Sequence, residues 1–425
     1  MTMKATTTTV SPPPPLSSSS SSSSLVLSPL FLLSFILSMA VLYCTTGFTY
    51  FSSIYYFNAF SDHHVPKVER KVAFAMGEAD EGCVDLFEGK WVRDDGGPPY
   101  EEGSCPYLDQ QTTCLRHGRP DKEYRYWRWS SSTCSIPSFN STLMLEALRG
   151  KRMMFVGDSL NRGQFISMIC LLQRAIPPHA HSIEVFHSLT VFTAKEYNAR
   201  VEFYWAPFLF ESNADDPIHH HVVDRIIRNG SMEKHGGHWK GAHILVFNTY
   251  IWWVSGLKLL VRGSLNDKVK NVVPLERDEG YRMAIKELVE WIDRNIDAKT
   301  KRVFFISMSP THQWSYKWGG DPEGNCYKQT RMIENSTYFA AEKSLMDITV
   351  EEISRSRAVP VTLLNITHLS SVRKDAHVSI YKKQSRPLIA DELAKPETYA
   401  DCIHWCLPGL PDIWNQLLFA KLFYP

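Results

Sequence analysis

Eight cysteines stand beyond residue 80 of this chain, at Cys83, Cys105, Cys114, Cys134, Cys170, Cys326, Cys402 and Cys406. Whether they pair depends on where the chain resides, and its other end speaks to that. An uncharged apolar run from Leu25 to about Tyr43 has roughly the ~20 residues that cross a bilayer as a helix. A cleaved leader would have a shorter apolar region nearer the N-terminus and a small-residue exit site. Residues 25–48 are therefore expected to be an uncleaved transmembrane signal anchor. The Ser and Phe content of the run, and its modest length for a span, suit a thin Golgi-type membrane. Charge orients it only weakly, since Lys4 is the sole charged side chain before it and Lys67, Arg70 and Lys71 follow at a distance. Four N-x-S/T sequons, at Asn140, Asn229, Asn335 and Asn365, lie beyond the run with the eight cysteines. An even count of cysteines on the secretory route reads as disulfides, so the body is expected to be luminal. Cys44, at the membrane edge, is the odd one out, free or lipidated.

The parts of the chain differ in texture. Residues 1–24, a Thr/Pro/Ser tail with an eight-residue Ser run, are too polar and repetitive to bury a core and are read as a cytosolic tail. Residues 49–80 read as a solvated stem. Residues 81–425 are expected to form the luminal domain, with a Cys-rich region at 81–150 ahead of a body at 151–425. Between Cys83 and Cys134 there is little helix or strand pattern, and closed disulfide loops of this size contribute ~3 kcal/mol each. In the body, Arg152–Gly157 is a short apolar run ending in Gly, read as a buried strand. A helix is expected over about Leu160–Arg174, with Phe165, Met168, Ile169 and Leu172 on one face. Further strands are expected at Val201–Trp205, His243–Asn248, Arg302–Met308 and Pro360–Leu364, with helices at about Asp278–Asn295 and Ser336–Ser356. That alternation predicts an α/β fold with a parallel sheet covered by helices on both faces. With 46 basic and 45 acidic side chains, nothing favours nucleic acid as a partner.

Two stretches carry chemistry. Gly157-Asp158-Ser159 ends the first body strand and opens a helix, where an open α/β sheet places its active site. A serine there stands on a tight turn, and its own N–H belongs to a helix N-terminus able to stabilise an oxyanion. The competing reading is that Asp158 or Ser159 only caps the helix. At the far end, Asp401-Cys-Ile-His404 places a carboxylate three residues before an imidazole. In a helical turn the two would share a face, so that Asp401 could orient His404 as it takes a proton from Ser159. A metal site would also explain Cys/His spacing, but the carboxylate and an oxidising compartment argue against zinc. Of the other histidines, His312 and His377 are alternative bases without an Asp at matching spacing, and His219–His221 read as a solvated loop. Asp412 is expected to cap or pair at the final helix.

FVGDSLNRGQ at 155–164 together with DCIHWCLPGLPDIWN at 401–415 resembles the plant trichome-birefringence-like family of polysaccharide O-acetyltransferases. DLFEGKWV (85–92), YRYWRW (124–129), ILVFNTYIWW (244–253) and RVFFISMSPTH (302–312) extend the likeness over nearly all of Cys83–Pro425. The resemblance implies a fold related to the SGNH/GDSL esterases, a three-layer α/β/α body with the Cys-rich segment as a minor lobe. It also implies Ser159 as nucleophile, His404 as general base and Asp401 as its orienter. Arg162 matches the arginine of the family's GDSLNR block, as a holder of oxyanion or substrate or as a brace for the loop. Asn248 stands where SGNH esterases keep a hole-forming Asn. Disulfides Cys83–Cys134, Cys105–Cys170, Cys114–Cys406 and Cys326–Cys402 follow from the resemblance too. Spacing alone leaves 105 pairings of eight cysteines open. The NTYIWW stretch at 248–253 looks like the xylan-acetylating branch. Tyr250, Trp252, Trp253, Trp314 and Trp318 are candidates for a sugar groove, or else core and wall residues.

The expectation is thus a Golgi-anchored enzyme with no bound cofactor and no metal. It would move acetyl from acetyl-CoA, through an acetyl-serine, to O-2 or O-3 of xylosyl residues, with other wall-synthesis enzymes as candidate partners. The same triad would serve a polysaccharide acetylesterase, or a transferase for mannan or pectin. A glycan-binding protein without catalysis would need Ser159 to be a cap and nothing more.

Overall fold

A computed structural model describes residues 72–425, apart from 221, 256–257, 263–271, 335–337 and 385. The tail, the anchor and nearly all of the stem lie outside the described residues, as does Asn335. In the Cys-rich region, β1 (Gly89–Arg93) pairs with β2 (Trp127–Ser131), and α1 (Ser141–Ala147) follows. Next come β3 (Arg152–Gly157), α2 (Ser159–Gln173), β4 (His181–Phe186), β5 (Leu189–Ala194), β6 (Ala199–Trp205), β7 (Arg225–Arg228) and α3 (Met232–Trp239). The middle of the chain adds β8 (Ile244–Phe247), α4 (Ile251–Val254), β9 (Leu259–Arg262), β10 (Val272–Pro274), α5 (Arg277–Asn295) and β11 (Arg302–Ile306). The last part is α6 (Lys343–Ser354), β12 (Val361–Leu364), α7 (Thr367–Ser371), β13 (His377–Ser379), α8 (Ala390–Ala394), β14 (Asp401–Trp405) and α9 (Leu410–Phe423).

The central sheet has seven strands in the order β12-β11-β8-β3-β6-β5-β4. Its five strands from β12 to β6 are parallel, and β5 and β4 add an antiparallel hairpin at one edge. Because side chains alternate across a strand, each buried strand feeds two cores. Met153 and Phe155 of β3, with Val246 of β8 and Phe304 of β11, meet Phe165 and Met168 of α2 and Trp414 and Leu418 of α9. Met154 and Val156, with Leu245 and Phe305, meet Tyr281, Ile285 and Leu288 of α5 and Trp239 of α3. The result is three layers, α/β/α. Near-continuous apolar runs are what a strand buried on both faces requires, which is why β3, β6, β8, β11 and β12 were legible as strands. The β4–β5 hairpin was not, since residues 184–186 of β4 are solvent-exposed and carry no core pattern. The final expected helix also begins later than its apolar periodicity suggests, at Lys343.

The four disulfides are Cys83–Cys134, Cys105–Cys170, Cys114–Cys406 and Cys326–Cys402, the same pairs that the resemblance implies. Through Cys105–Cys170 and the buried Tyr100, Tyr124 and Trp129, the Cys-rich region shares the core of the α2–α9 face. Of the described sequon residues, Asn140 and Asn229 are exposed and Asn365 is half-buried. Asn140 also caps α1 by accepting the Leu143 N–H. Among the described residues no helix is long and apolar enough to cross a membrane.

Gly157 fixes how closely β3 and β8 approach at their carboxyl ends. A Cβ there would stand 2.2 Å from the Asn248 carbonyl oxygen and 3.2 Å from the Asn161 side chain. The obstacle is backbone that cannot rotate away, so Gly157→Ala is expected to cost about 1–3 kcal/mol through overpacking. A lower urea midpoint with an unchanged slope would be the signature; an unchanged midpoint would show that the sheet yields.

Candidate active site

Strand β3 delivers the chain to the end of the sheet, and Asp158 stops it there. Asp158 is the N-cap of α2, extended at φ −101° and ψ −163°, and its Oδ1 accepts the Leu160 N–H at 2.9 Å. The two readings of this tripeptide therefore separate by residue: Asp158 caps, and Ser159 is left as the first residue of the helix. Asn161 locks the turn from below, its Nδ2 donating to the carbonyls of Val156 (2.9 Å) and Val246 (3.0 Å). The N–H groups of this first turn have no intrahelical acceptor, and the helix dipole adds partial positive charge beside the Ser159 hydroxyl.

The other half of the site comes from 245 residues away. His404 Nε2 lies 2.8 Å from Ser159 Oγ, and its Nδ1 lies 2.9 Å and 3.1 Å from the two Asp401 carboxylate oxygens. Asp401 and His404 are not on a helical turn as the spacing suggested; they sit on β14, which pairs with β13 across a register irregularity. Regular strand geometry would turn residues three apart to opposite faces. Here Asp401 Oδ1 accepts the N–H groups of Ile403 (3.2 Å) and His404 (3.0 Å), an Asx-type turn that folds the carboxylate back onto the imidazole. Burial by itself would raise the Asp401 pKa, but His404 and the Lys382 ammonium, 2.7 Å from Oδ2, hold it well below the ordinary carboxylate range. It is thus an anion facing Nδ1, which favours the tautomer with a proton there and leaves Nε2 free to accept the serine proton.

The remaining candidates fall into place around this core. Arg162 gives Nη2 to Gln111 Oε1 at 3.0 Å and approaches Asp109 at 4.0 Å, so it braces the Cys-rich region. Gln111 in turn places Nε2 3.1 Å from His404 Nδ1. Nothing in Asp109-Gln-Gln-Thr marks Gln111 as a site residue; the only clue is its position three residues before Cys114, the partner of Cys406. Asn248 is buried, and its Nδ2 donates to the carbonyls of Ile306 and Ser307, both at 3.2 Å, so those donors are turned to the sheet end and not to Ser159. Trp253 and Tyr250 are core residues, bonded to Thr249 Oγ1 and to the Glu342 N–H. Trp252 alone of the aromatic candidates lines the cleft above Ser159, about 380 Å³ in volume, with His404, Ile403, Arg225 and His220.

Trp318 lines a different cavity, and Trp314 is exposed. Of the histidine loop, His219 is exposed beside Asp216, but His220 packs against Trp205 and Trp252; the solvated reading thus holds for His219 and not for His220, and His221 lies outside the described residues. His312 and His377 are buried and bonded to each other at 2.7 Å, and burial lowers the pKa of both. His377 Nδ1 contacts the His404 carbonyl and its ring stacks on Trp405; the pair supports β14 from behind. Asp412 accepts from Tyr100 Oη, Ser167 Oγ and the Gly409 N–H, at 2.9, 2.5 and 2.7 Å, which makes it a helix cap and core link. Among the described residues no group of three or more His, Cys, Asp or Glu could hold a metal ion.

A parallel sheet, a serine at the end of a central strand and an Asp–His pair on a C-terminal segment define a serine acyl enzyme of the GDSL/SGNH type. The chain belongs to the PC-Esterase family, described as a "GDSL/SGNH-like Acyl-Esterase family found in Pmr5 and Cas1p", which matches residues 136–421; residues 81–135 match the "PMR5 N terminal Domain". It is 54% identical over 356 residues to the probable xylan O-acetyltransferase 10 of Oryza sativa subsp. japonica, covering 83% of this chain and 80% of that one. Identity to the probable xylan O-acetyltransferase 9 of the same plant is 49%, over 82% and 80% of the two chains. With protein trichome birefringence-like 35 of Arabidopsis thaliana it is 46%, over 81% and 77%.

Asp158 supplies a test of the site's electrostatics. Burial raises its pKa to about 6, only partly offset by the Leu160 N–H and the His404 charge. An unfolded aspartate titrates near 3.9, so between roughly pH 4 and 6 the folded state binds more protons and stability falls as pH rises, then levels off. Asp158→Asn keeps the cap oxygen and removes the titration. Its stability relative to the parent should therefore climb by up to about 3 kcal/mol from pH 4 to 7, read from urea midpoints at each pH. A difference that is flat with pH would show that Asp158 is not the group responsible.

Proposed function

We propose that this protein is a xylan O-acetyltransferase working by two-step transfer through an acetyl-serine at Ser159. The observation that carries the catalytic reading is the continuous contact Asp401–His404–Ser159, and the relatives' names point to xylan as acceptor and to transfer over hydrolysis. In the first half-reaction Ser159 Oγ attacks the acetyl carbonyl carbon of the donor, for which acetyl-CoA is the thioester we favour, while His404 Nε2 takes the hydroxyl proton. Collapse of the tetrahedral intermediate breaks the carbon–sulfur bond, and the thiolate leaves with that proton. A xylosyl O-2 or O-3 hydroxyl then gives its proton to His404 and attacks the acetyl-serine; Ser159 Oγ leaves and is reprotonated. The Ser159 N–H at the start of α2 is a donor to the oxyanion in both halves. In this reading residues 25–48 anchor the chain in the Golgi membrane, with residues 81–425 in the lumen.

Incubation of the purified protein with acetyl-CoA and xylo-oligosaccharides, followed by mass spectrometry, tests the proposal. Acetylated sugar should form, an acetylated Ser159 peptide should be trapped when acceptor is omitted, and Ser159→Ala should lose nearly all turnover because triad members act as a unit. Release of acetate from pre-acetylated xylan without transfer would replace this reading with an esterase.

A further inference from the structure

Buried guanidinium groups are costly unless paired, and this protein pairs most of them. Arg119 meets Asp121 at 3.1 Å, Arg125 meets Glu101 at 2.7 Å and Arg373 meets Asp375 at 3.0 Å. Arg302, also buried, has no acid but spreads its donors over the carbonyls of Ala73 and Lys421 and the Thr362 hydroxyl. Arg225 alone of the five combines the lack of an acid, which it shares with Arg302, with an unpartnered Nε–H, which it shares with Arg119 and Arg125. It is 6% exposed and has no carboxylate partner among the described residues; it bonds only the Trp252 carbonyl and the Ser255 hydroxyl, and its Nε–H has no partner. Of five N–H donors in a guanidinium, most are left over. Its charge lies 4.9 Å from the centre of the Trp252 ring, and both residues line the cleft that holds Ser159 and His404. Burial lowers its pKa only to about 10, so the group is a cation at any physiological pH.

We propose that Arg225 forms an anion subsite in the acyl-transfer cleft, receiving an anionic oxygen group carried by one of the two substrates. The source is either a carboxylate on an acidic sugar of the acceptor or a phosphate of the donor. The planar fork of arginine suits either group, and the Trp252 face beside it suits a sugar ring. The inference rests on the reading of this cleft as the transfer site, so its test is one of binding and not of turnover.

Calorimetric titration of the Ser159→Ala protein with two matched pairs of probes separates the sources. One pair is a xylo-oligosaccharide with and without a uronic acid branch; the other is acetyl-CoA and the phosphate-free thioester S-acetylpantetheine. Within one pair the anionic probe should bind more tightly, and this advantage should shrink as salt rises. Adding Arg225→Met should abolish that advantage, weakening the anionic probe by about tenfold or more while leaving its neutral counterpart unchanged. Arg225→Lys, which keeps charge without the fork, should fall between. Should Arg225→Met unfold the protein, the salt-dependent preference of the Ser159→Ala protein still decides: equal binding within both pairs overturns the proposal. Equal weakening of charged and neutral probes by Arg225→Met would also overturn it, reducing Arg225 to a brace for Trp252.

Discussion

His404 sits on a strand that cannot hold itself. β14 has five residues and its only ladder partner among the described residues, β13, has three, with two Cα pairs in register and an irregularity between them. A ribbon that short is not independently stable, yet it must keep His404 within 2.8 Å of Ser159 Oγ. The support is supplied from outside the ladder. Cys402 is bonded to Cys326 and Cys406 to Cys114, one residue beyond each side of the Ile403–Trp405 stretch. The Cys402 carbonyl accepts the His312 N–H, Trp405 Nε1 donates to Ser309 Oγ, and the Leu407 N–H donates to the Thr112 carbonyl. The sheet positions Ser159, the turn at Asp401 sets the carboxylate against the imidazole, and this clamp holds the strand that carries both.

The same division explains what could be read from the sequence. Strands buried on both faces announce themselves as apolar runs, and Arg152–Gly157 with its following helix placed Ser159 at the sheet end without any structure in hand. The pair Asp401/His404 was also legible as chemistry. Its backbone was misread because D-x-x-H spacing matches a helical turn, while the Asx-type turn that really folds Asp401 back leaves no periodic trace. Arg162 and Asn248 were visible as polar residues near the site, but not the partners that turn Arg162 to Gln111 and Asn248 to the carbonyls of Ile306 and Ser307. Gln111 was invisible for a different reason. It reaches His404 across 293 positions of sequence, and such contacts are set by tertiary packing that no local pattern encodes.

Three buried carboxyl groups, Asp158, Asp401 and Asp412, show that neighbours can reverse what burial does to a carboxyl. For Asp158 and Asp412 burial outweighs the groups that favour the anion, His404 among them for Asp158, and lifts each to about 6. Asp401 is buried as well, but His404 and Lys382 reverse the sign. Only Asp401 has the Lys382 ammonium as well as His404 against it, and it is the one of the three that is held ionised.

The Cys114–Cys406 bond has a consequence in time. Its partners are separated by 292 residues, so at ribosomal speeds of roughly 5–20 residues per second Cys114 waits on the order of 15–60 s before Cys406 exists. Cys83 and Cys105 already precede Cys114, and Cys134, Cys170, Cys326 and Cys402 are made before Cys406, so each can meet Cys114 first. Ser159 is likewise made 245 residues ahead of His404, so a chain that stops short of His404 lacks the Asp401–His404–Ser159 contact. The native partner of Cys114 is thus among the last residues of the chain to be made.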